Sequence, residues 1–246
     1  MIEQPIEIRT ADGTTEGYLY RQEDGRPRPG VLFLTDIGGI RPVQREKARQ
    51  LAGQGYVVLM PNIFYRTGKP PLFDFERTPG DERTMKRFAE LSSPLTPEGM
   101  ERDVAAYVDF LMAQDSVRAG RAGVVGYCFS GSMAMRTAAA RPEIVAAATS
   151  FHGGRLFTDA PTSPHLSLPR IRARLYFGHA VQDRSMNEEA IAKLNAALAA
   201  WGGRYESEVY EGAYHSWTEP DSPVYNPEQA RRAFEKLVEL LRETLA

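Results

Sequence analysis

Gly126-Tyr127-Cys128-Phe129-Ser130-Gly131 sets a lone cysteine between small residues two positions away on either side. A nucleophile at the apex of a sharp strand-to-helix turn requires that spacing, because bulky neighbours two residues away would collide. A helix starting beneath the sulfur directs its N-terminal dipole at it and favours the thiolate. In this reading the backbone N–H of Phe129 faces a developing oxyanion. The plainer reading makes Cys128 a buried small hydrophobe. Another register would give the role to Ser130 or Ser132, but the strand ends at Gly126 and the turn must follow directly.

A thiol nucleophile needs a base for its proton and a carboxylate to orient that base. The apolar run Ala173 to Phe177 leads into Gly178-His179-Ala180-Val181-Gln182-Asp183. The run Tyr205 to Tyr210 leads into Glu211-Gly212-Ala213-Tyr214-His215-Ser216-Trp217. Cys128, Asp183 and His215 thus fall after three strands, in the order nucleophile, acid, histidine that goes with such a turn. Asp183 could instead cap the helix starting near Asn187. His152, His165 and His179 compete for the base. His152 follows the wrong strand, His165 sits in a Pro- and Ser-rich loop, and His179 precedes the acid.

The elements that must position these residues alternate between short β-rich runs and amphipathic helices. Ile6 to Thr10 and Thr15 to Tyr20, joined at Asp12-Gly13, read as a hairpin. Val31 to Thr35, Tyr56 to Met60, Ala122 to Tyr127, Val145 to Phe151, Ala173 to Phe177 and Tyr205 to Tyr210 read as strands. Gln44 to Gly53, Pro97 to Gln114, Ser130 to Ala140, Asn187 to Trp201 and Pro227 to Leu245 read as helices, with Thr96-Pro97-Glu98 as an N-cap signature. Pro61 to Pro97 reads as one long irregular stretch, lid-like and rich in Pro, Arg and aromatics. The alternation predicts an α/β fold with a mostly parallel central sheet flanked by helices on both faces. Ligands bind such sheets beyond the carboxyl ends of the strands.

Composition narrows the partners. A length of 246 residues fits a single domain spanning 1–246. The net charge of -2 argues against nucleic acid and against an acidic membrane surface. No apolar run approaches the ~18 residues of a membrane span, and Met1 to Thr10 is too polar for a secretory segment. With one cysteine, an intrachain disulfide and a cysteine-based metal cluster are both impossible. A cytoplasmic location is expected.

At these residues the sequence resembles the dienelactone hydrolase (carboxymethylenebutenolidase) family of α/β-hydrolases, over nearly the whole chain. Gly126-Tyr127-Cys128, Gly178 to Asp183 and Tyr214-His215-Ser216-Trp217 carry the resemblance, together with Thr35-Asp36-Ile37-Gly38-Gly39. It implies a compact fold without a separate cap domain, no metal or organic cofactor, and a small-molecule ester or lactone as partner. The protein is expected to act as a monomer or homodimer. The resemblance also implies that Asp36 holds the thiol at rest and that the Ile37 N–H joins the Phe129 N–H in an oxyanion hole. The family has a glutamate where Asp36 stands, and a turn cap is the alternative role for this shorter side chain. Family enzymes hold a substrate carboxylate with arginines, one shortly after the histidine. Here that position is acidic: Ser216-Trp217-Thr218-Glu219-Pro220-Asp221. Arg66, Arg77, Arg83 and Arg87 of the lid-like stretch are the substitutes, with Arg83 and Arg87 taken as substrate-binding. Tyr65 and Trp217, with Phe64, Phe73 and Phe75, are expected to wall the pocket. A thioesterase, a general carboxylesterase, or a non-catalytic binding or sensor protein on the same fold are the competing functions.

Overall fold

The computed structural model describes every residue except Pro79 and Ala246. Its strands are β1 (Ile2–Thr10), β2 (Gly13–Arg21), β3 (Arg28–Leu34), β4 (Val57–Pro61), β5 (Val117–Tyr127), β6 (Val145–Phe151), β7 (Arg174–His179) and β8 (Tyr205–Val209). They form one sheet in the order β1-β2-β4-β3-β5-β6-β7-β8. The β1–β2 hairpin joins antiparallel, with β2 against β4, and every pairing from β4 to β8 is parallel. The mostly parallel sheet read from the alternation is therefore present.

The helices are α1 (Pro42–Gly53), α2 (Glu82–Ser92), α3 (Pro97–Met112), α4 (Gly131–Ala140), α5 (Glu188–Trp201) and α6 (Pro227–Leu245). They divide between the sheet faces because strand side chains alternate with period two. Leu32 and Leu34 of β3, with Val57 and Leu59 of β4, pack with α3, α4 and α5. Val31 and Phe33, with Val58 and Met60, pack with α1 and α6 on the other side. Both faces are thus covered, which explains why these strands are continuous apolar runs.

The stretch between β4 and α3 departs from its reading as irregular throughout. It contains α2, capped by Asp81, whose side chain accepts the Thr84 N–H. Only Thr84 and Leu91 of α2 are buried, so its apolar signal was too sparse to mark a helix among the surrounding prolines. Pro79, within this stretch, lies outside the described residues. Thr96 caps α3 as its sequence signature indicated, accepting the Gly99 N–H at 3.1 Å. Among the described residues no helix is long and apolar enough to cross a membrane.

Because β3, β5, β6, β7 and β8 run parallel, their carboxyl ends share one edge. Asp36, Cys128, His152, Asp183 and His215 all follow those ends.

Candidate active site

Cys128 begins a single 3-10 turn, Cys128–Ser130, between β5 and α4. Its backbone is left-handed, with φ at +54°, a costly conformation for a non-glycine residue that its surroundings must impose. Ser130 does part of that: its Oγ accepts the Tyr127 N–H at 2.9 Å and donates to the Leu34 carbonyl of β3 at 2.9 Å. A Cβ on Gly126 would lie 2.2 Å from the Ser130 carbonyl oxygen, so the turn can be this tight only with glycine there. Ser130 is fully buried, and Ser132 donates to the Phe129 carbonyl. Neither presents a free hydroxyl at the apex, whereas Cys128 is partly exposed.

The two loops beyond β7 and β8 complete a row. His215 Nε2 is 3.0 Å from Cys128 Sγ, and His215 Nδ1 donates to Asp183 Oδ2 at 2.6 Å. The other oxygen, Asp183 Oδ1, accepts the Ser185 N–H at 2.8 Å and the Ser185 hydroxyl at 2.7 Å. Ser185 is thus a site residue that the sequence reading passed over, although Asp-x-Ser is a recognisable side-chain turn. Asn187, not Asp183, caps α5, which frees the carboxylate for the histidine. The side chain of Asp183 is 4% exposed and that of His215 31%, so the carboxylate is sealed and the imidazole is open to solvent.

The electrostatics follow the geometry. Burial alone would push His215 down. The adjoining charges and hydrogen bonds of Cys128 and Asp183 overcome it and raise the imidazole to about 10. Burial likewise raises Asp183, but the hydrogen bonds and charge from His215 and the Ser185 donors win and hold it below the usual carboxylate range. The rival histidines are committed elsewhere. His179 lies in β7 with its ring at Ser207 Oγ, 3.1 Å away, and burial pushes it down to about 4. His165 bonds Ser163 and stacks on Phe157.

Several sequence expectations need correction. Asp36 does not hold the thiol in this structure. Its oxygens are 2.5 and 2.8 Å from the Arg41 guanidinium, and Oδ1 also accepts the Gly38 N–H at 2.9 Å. It is a turn cap locked in a bidentate ion pair, and the hydrogen bond of the thiol goes to His215. The turn exposes Ile37 partly, and among the described residues its N–H makes no loop hydrogen bond. Trp217 forms no pocket wall: it is fully buried, stacked on Tyr210 with centroids 4.9 Å apart. The Tyr65 hydroxyl is taken by Thr10 and Asp103. Arg83 pairs with Asp74 and covers Phe75, while Arg87 bonds the Leu72 carbonyl and Glu90. These two arginines line a separate concavity with Lys86. Arg77 is the lid arginine at the Asp36 turn. A Cβ on Gly38 would lie 2.3 Å from its Nη1, and its Nη2 donates to Asp221 at 2.8 Å.

Behind the site runs a buried ionic cluster that no local motif announces. Arg41 binds Asp36, Asp221 and, at 3.4 Å, Glu219. Glu219 also accepts from Lys47 at 2.6 Å and Gln44 at 2.7 Å. Burial pushes Lys47 down and Glu219 up, and their mutual attraction opposes both shifts. Removing one partner of such a cluster strands the others. Arg41→Met is therefore expected to lower unfolding free energy by ~3–5 kcal/mol, read from urea melts, because Asp36 and Glu219 lose their shared cation.

Comparison with known proteins adds a second line of evidence. The model of the dienelactone hydrolase family matches residues 15–245. A carboxymethylenebutenolidase of Rhodococcus opacus is 31% identical over 229 residues, covering 89% of this chain and 85% of that protein. A candidate carboxymethylenebutenolidase of Escherichia coli (strain K12) is 26% identical over 230 residues, covering 91% of this chain and 79% of that one. The fold also matches the crystal structure of a candidate dienelactone hydrolase from Klebsiella pneumoniae subsp. pneumoniae, at a TM-score of 0.86 and 22% identity over 98% of both chains. A family model that runs from the second strand to the last helix, and a relative aligned over most of both lengths, lead to one conclusion: this chain belongs to the dienelactone hydrolase family of α/β-hydrolases.

Proposed function

We propose that this hydrolase cleaves a lactone or small carboxylic ester through a covalent thioester on Cys128. The observation that carries the proposal is the continuous row from Cys128 Sγ through His215 to Asp183, at 3.0 and 2.6 Å. In it His215 shares the thiol proton, and the sulfur attacks the carbonyl carbon. The oxyanion forms against the backbone N–H groups of Ile37 and Phe129. The carbonyl re-forms as the bond to the alkoxide breaks, and the imidazolium returns its proton to the leaving oxygen.

Thioester formation removes the sulfur's charge, which is among the causes holding His215 up. The imidazole then becomes a competent base for the water that hydrolyses the thioester. Asp183 keeps the Nδ1–H directed at itself throughout, so Nε2 alone exchanges protons with the reactants. The relative named carboxymethylenebutenolidase supports a lactone as the substrate.

A panel of lactones, aryl esters and thioesters tests the substrate class, assayed with wild type and Cys128→Ser. Lactone and aryl ester turnover at the highest kcat/KM, lost in the serine variant, is the expected result. A preference for thioesters by ~100-fold or more would reassign the protein as a thioesterase.

A further inference from the structure

His152 stands directly behind the catalytic row, and the mechanism above gives it no task. It is fully buried, and its φ of +40° places it in the left-handed region. Its backbone N–H donates to the Gly178 carbonyl at 2.8 Å. Its ring and that of His215 pack in a T shape, with centroids 5.3 Å apart and planes at 62°. Trp217 is 5.0 Å away at 74°, and the Tyr127 ring closes another side at 6.1 Å.

The protonation pattern of this ring is set from a distance. His152 Nε2 lies 2.8 Å from Thr218 Oγ1. The single hydroxyl proton of Thr218 goes to Glu219 Oε1 at 2.9 Å. The Glu219 oxygens are already acceptors for Lys47 and Gln44 of α1. Thr218 can therefore only accept from His152, which puts the proton on Nε2 and leaves Nδ1 bare. Among the described residues Nδ1 has no hydrogen-bond partner.

We propose that His152 is a positioning residue for the catalytic base: a neutral imidazole, protonated on Nε2, whose T-shaped packing sets the ring plane of His215 between Cys128 and Asp183. The proposal rests on the triad reading above. The groups facing His152 are His215, Tyr127, Trp217 and Thr218, with Glu219 4.0 Å from its Nε2. Burial, with the charges of His215 and Lys47 nearby, keeps the ring neutral. Neutrality matters, because a second cation behind His215 would oppose the imidazolium that the mechanism needs. Glu219 and α1 thereby act on the base through Thr218 and His152 without touching the reactants.

The chain has one cysteine, so iodoacetamide alkylation reads Cys128 alone. Alkylation rate against pH is measured for wild type, His215→Ala, His152→Phe, His152→Gln and Thr218→Val, with kcat and KM for an aryl ester. His152→Phe keeps a ring without the donor, and His152→Gln keeps an N–H donor toward Thr218. Thr218→Val removes the acceptor while leaving His152 in place, so the test survives if a His152 variant misfolds. His215→Ala moves the alkylation profile to higher pH. His152→Phe and Thr218→Val move it the same way by less and lower kcat roughly 10-fold at unchanged KM, less than the ~100-fold that a ~1 Å misplacement of a catalytic group can cost. His152→Gln, which keeps the donor but has no ring to pack on His215, falls with them. If His215→Ala moves the profile but His152→Phe and Thr218→Val keep wild-type profiles and kcat, the positioning role is overturned while the triad stands. If His215→Ala leaves the profile in place, the triad reading fails and this proposal with it.

Discussion

Cys128→Ala lowers hydrolysis of an activated aryl ester by at least ~10⁴-fold, the order expected when a covalent nucleophile is deleted. The circular dichroism spectrum stays that of wild type, for reasons visible in the turn. Cys128 is partly exposed and the hydrogen bond of its sulfur goes to His215. The turn itself is held by Ser130, bonded to Tyr127 and Leu34. Removing the sulfur therefore deletes chemistry and leaves the fold's own contacts in place. The left-handed backbone at φ +54° remains equally strained with alanine. A melting temperature close to wild type, beside the lost turnover, separates the nucleophile from a packing role.

Asp183→Asn is the second large effect, with kcat reduced by ~10²–10⁴-fold; the upper figure is that of the corresponding change in serine triads. The replacement is nearly the same size, and its Oδ1 can still accept both Ser185 donors. The change falls on the other side, where an amide N–H₂ now faces His215 Nδ1. That nitrogen must become an acceptor, so the ring proton moves to Nε2 and points at the sulfur. His215 can then no longer take the thiol proton. The pH dependence carries the same signature. In wild type the raised imidazole stabilises the fold fully below its unfolded value near 6.5, and this contribution is lost as pH rises through about 10. Asp183 works the other way. Its lowered carboxyl contributes above its ordinary value of 3.8, and the contribution fades as pH falls through the folded value. Asp183→Asn abolishes the acid-side contribution and shrinks the alkaline one, which urea melts across pH would read.

The elements and the row of three were legible because each is a local signal. Apolar runs of strand length, helices between them and a cysteine flanked by Gly126 and Ser130 are properties of neighbouring residues. Chain order then supplied Asp183 and His215, since parallel strands bring their carboxyl ends to one edge. What the sequence hid is what depends on side chains from distant segments. Arg41 lies five residues from Asp36, but its other partners, Asp221 and Glu219, lie 180 and 178 residues away. The aromatic character of Trp217 suggested a pocket wall, but the same hydrophobicity drives it into the core against Tyr210. Arg83 and Arg87 had the right charge for a clamp, and the unforeseen helix α2 directs them to the lid's own acids. His152 follows a strand that offers no triad member, and only the packing shows that it backs His215.

Intact-protein mass spectrometry of an acid-quenched reaction with a slow aryl ester, followed by peptide mapping, tests the central claim most directly. A single acyl increment on the peptide containing Cys128, absent in Cys128→Ala and formed more slowly in Asp183→Asn, is the predicted result. Steady turnover with no acyl adduct, or an adduct on any other residue, would contradict it.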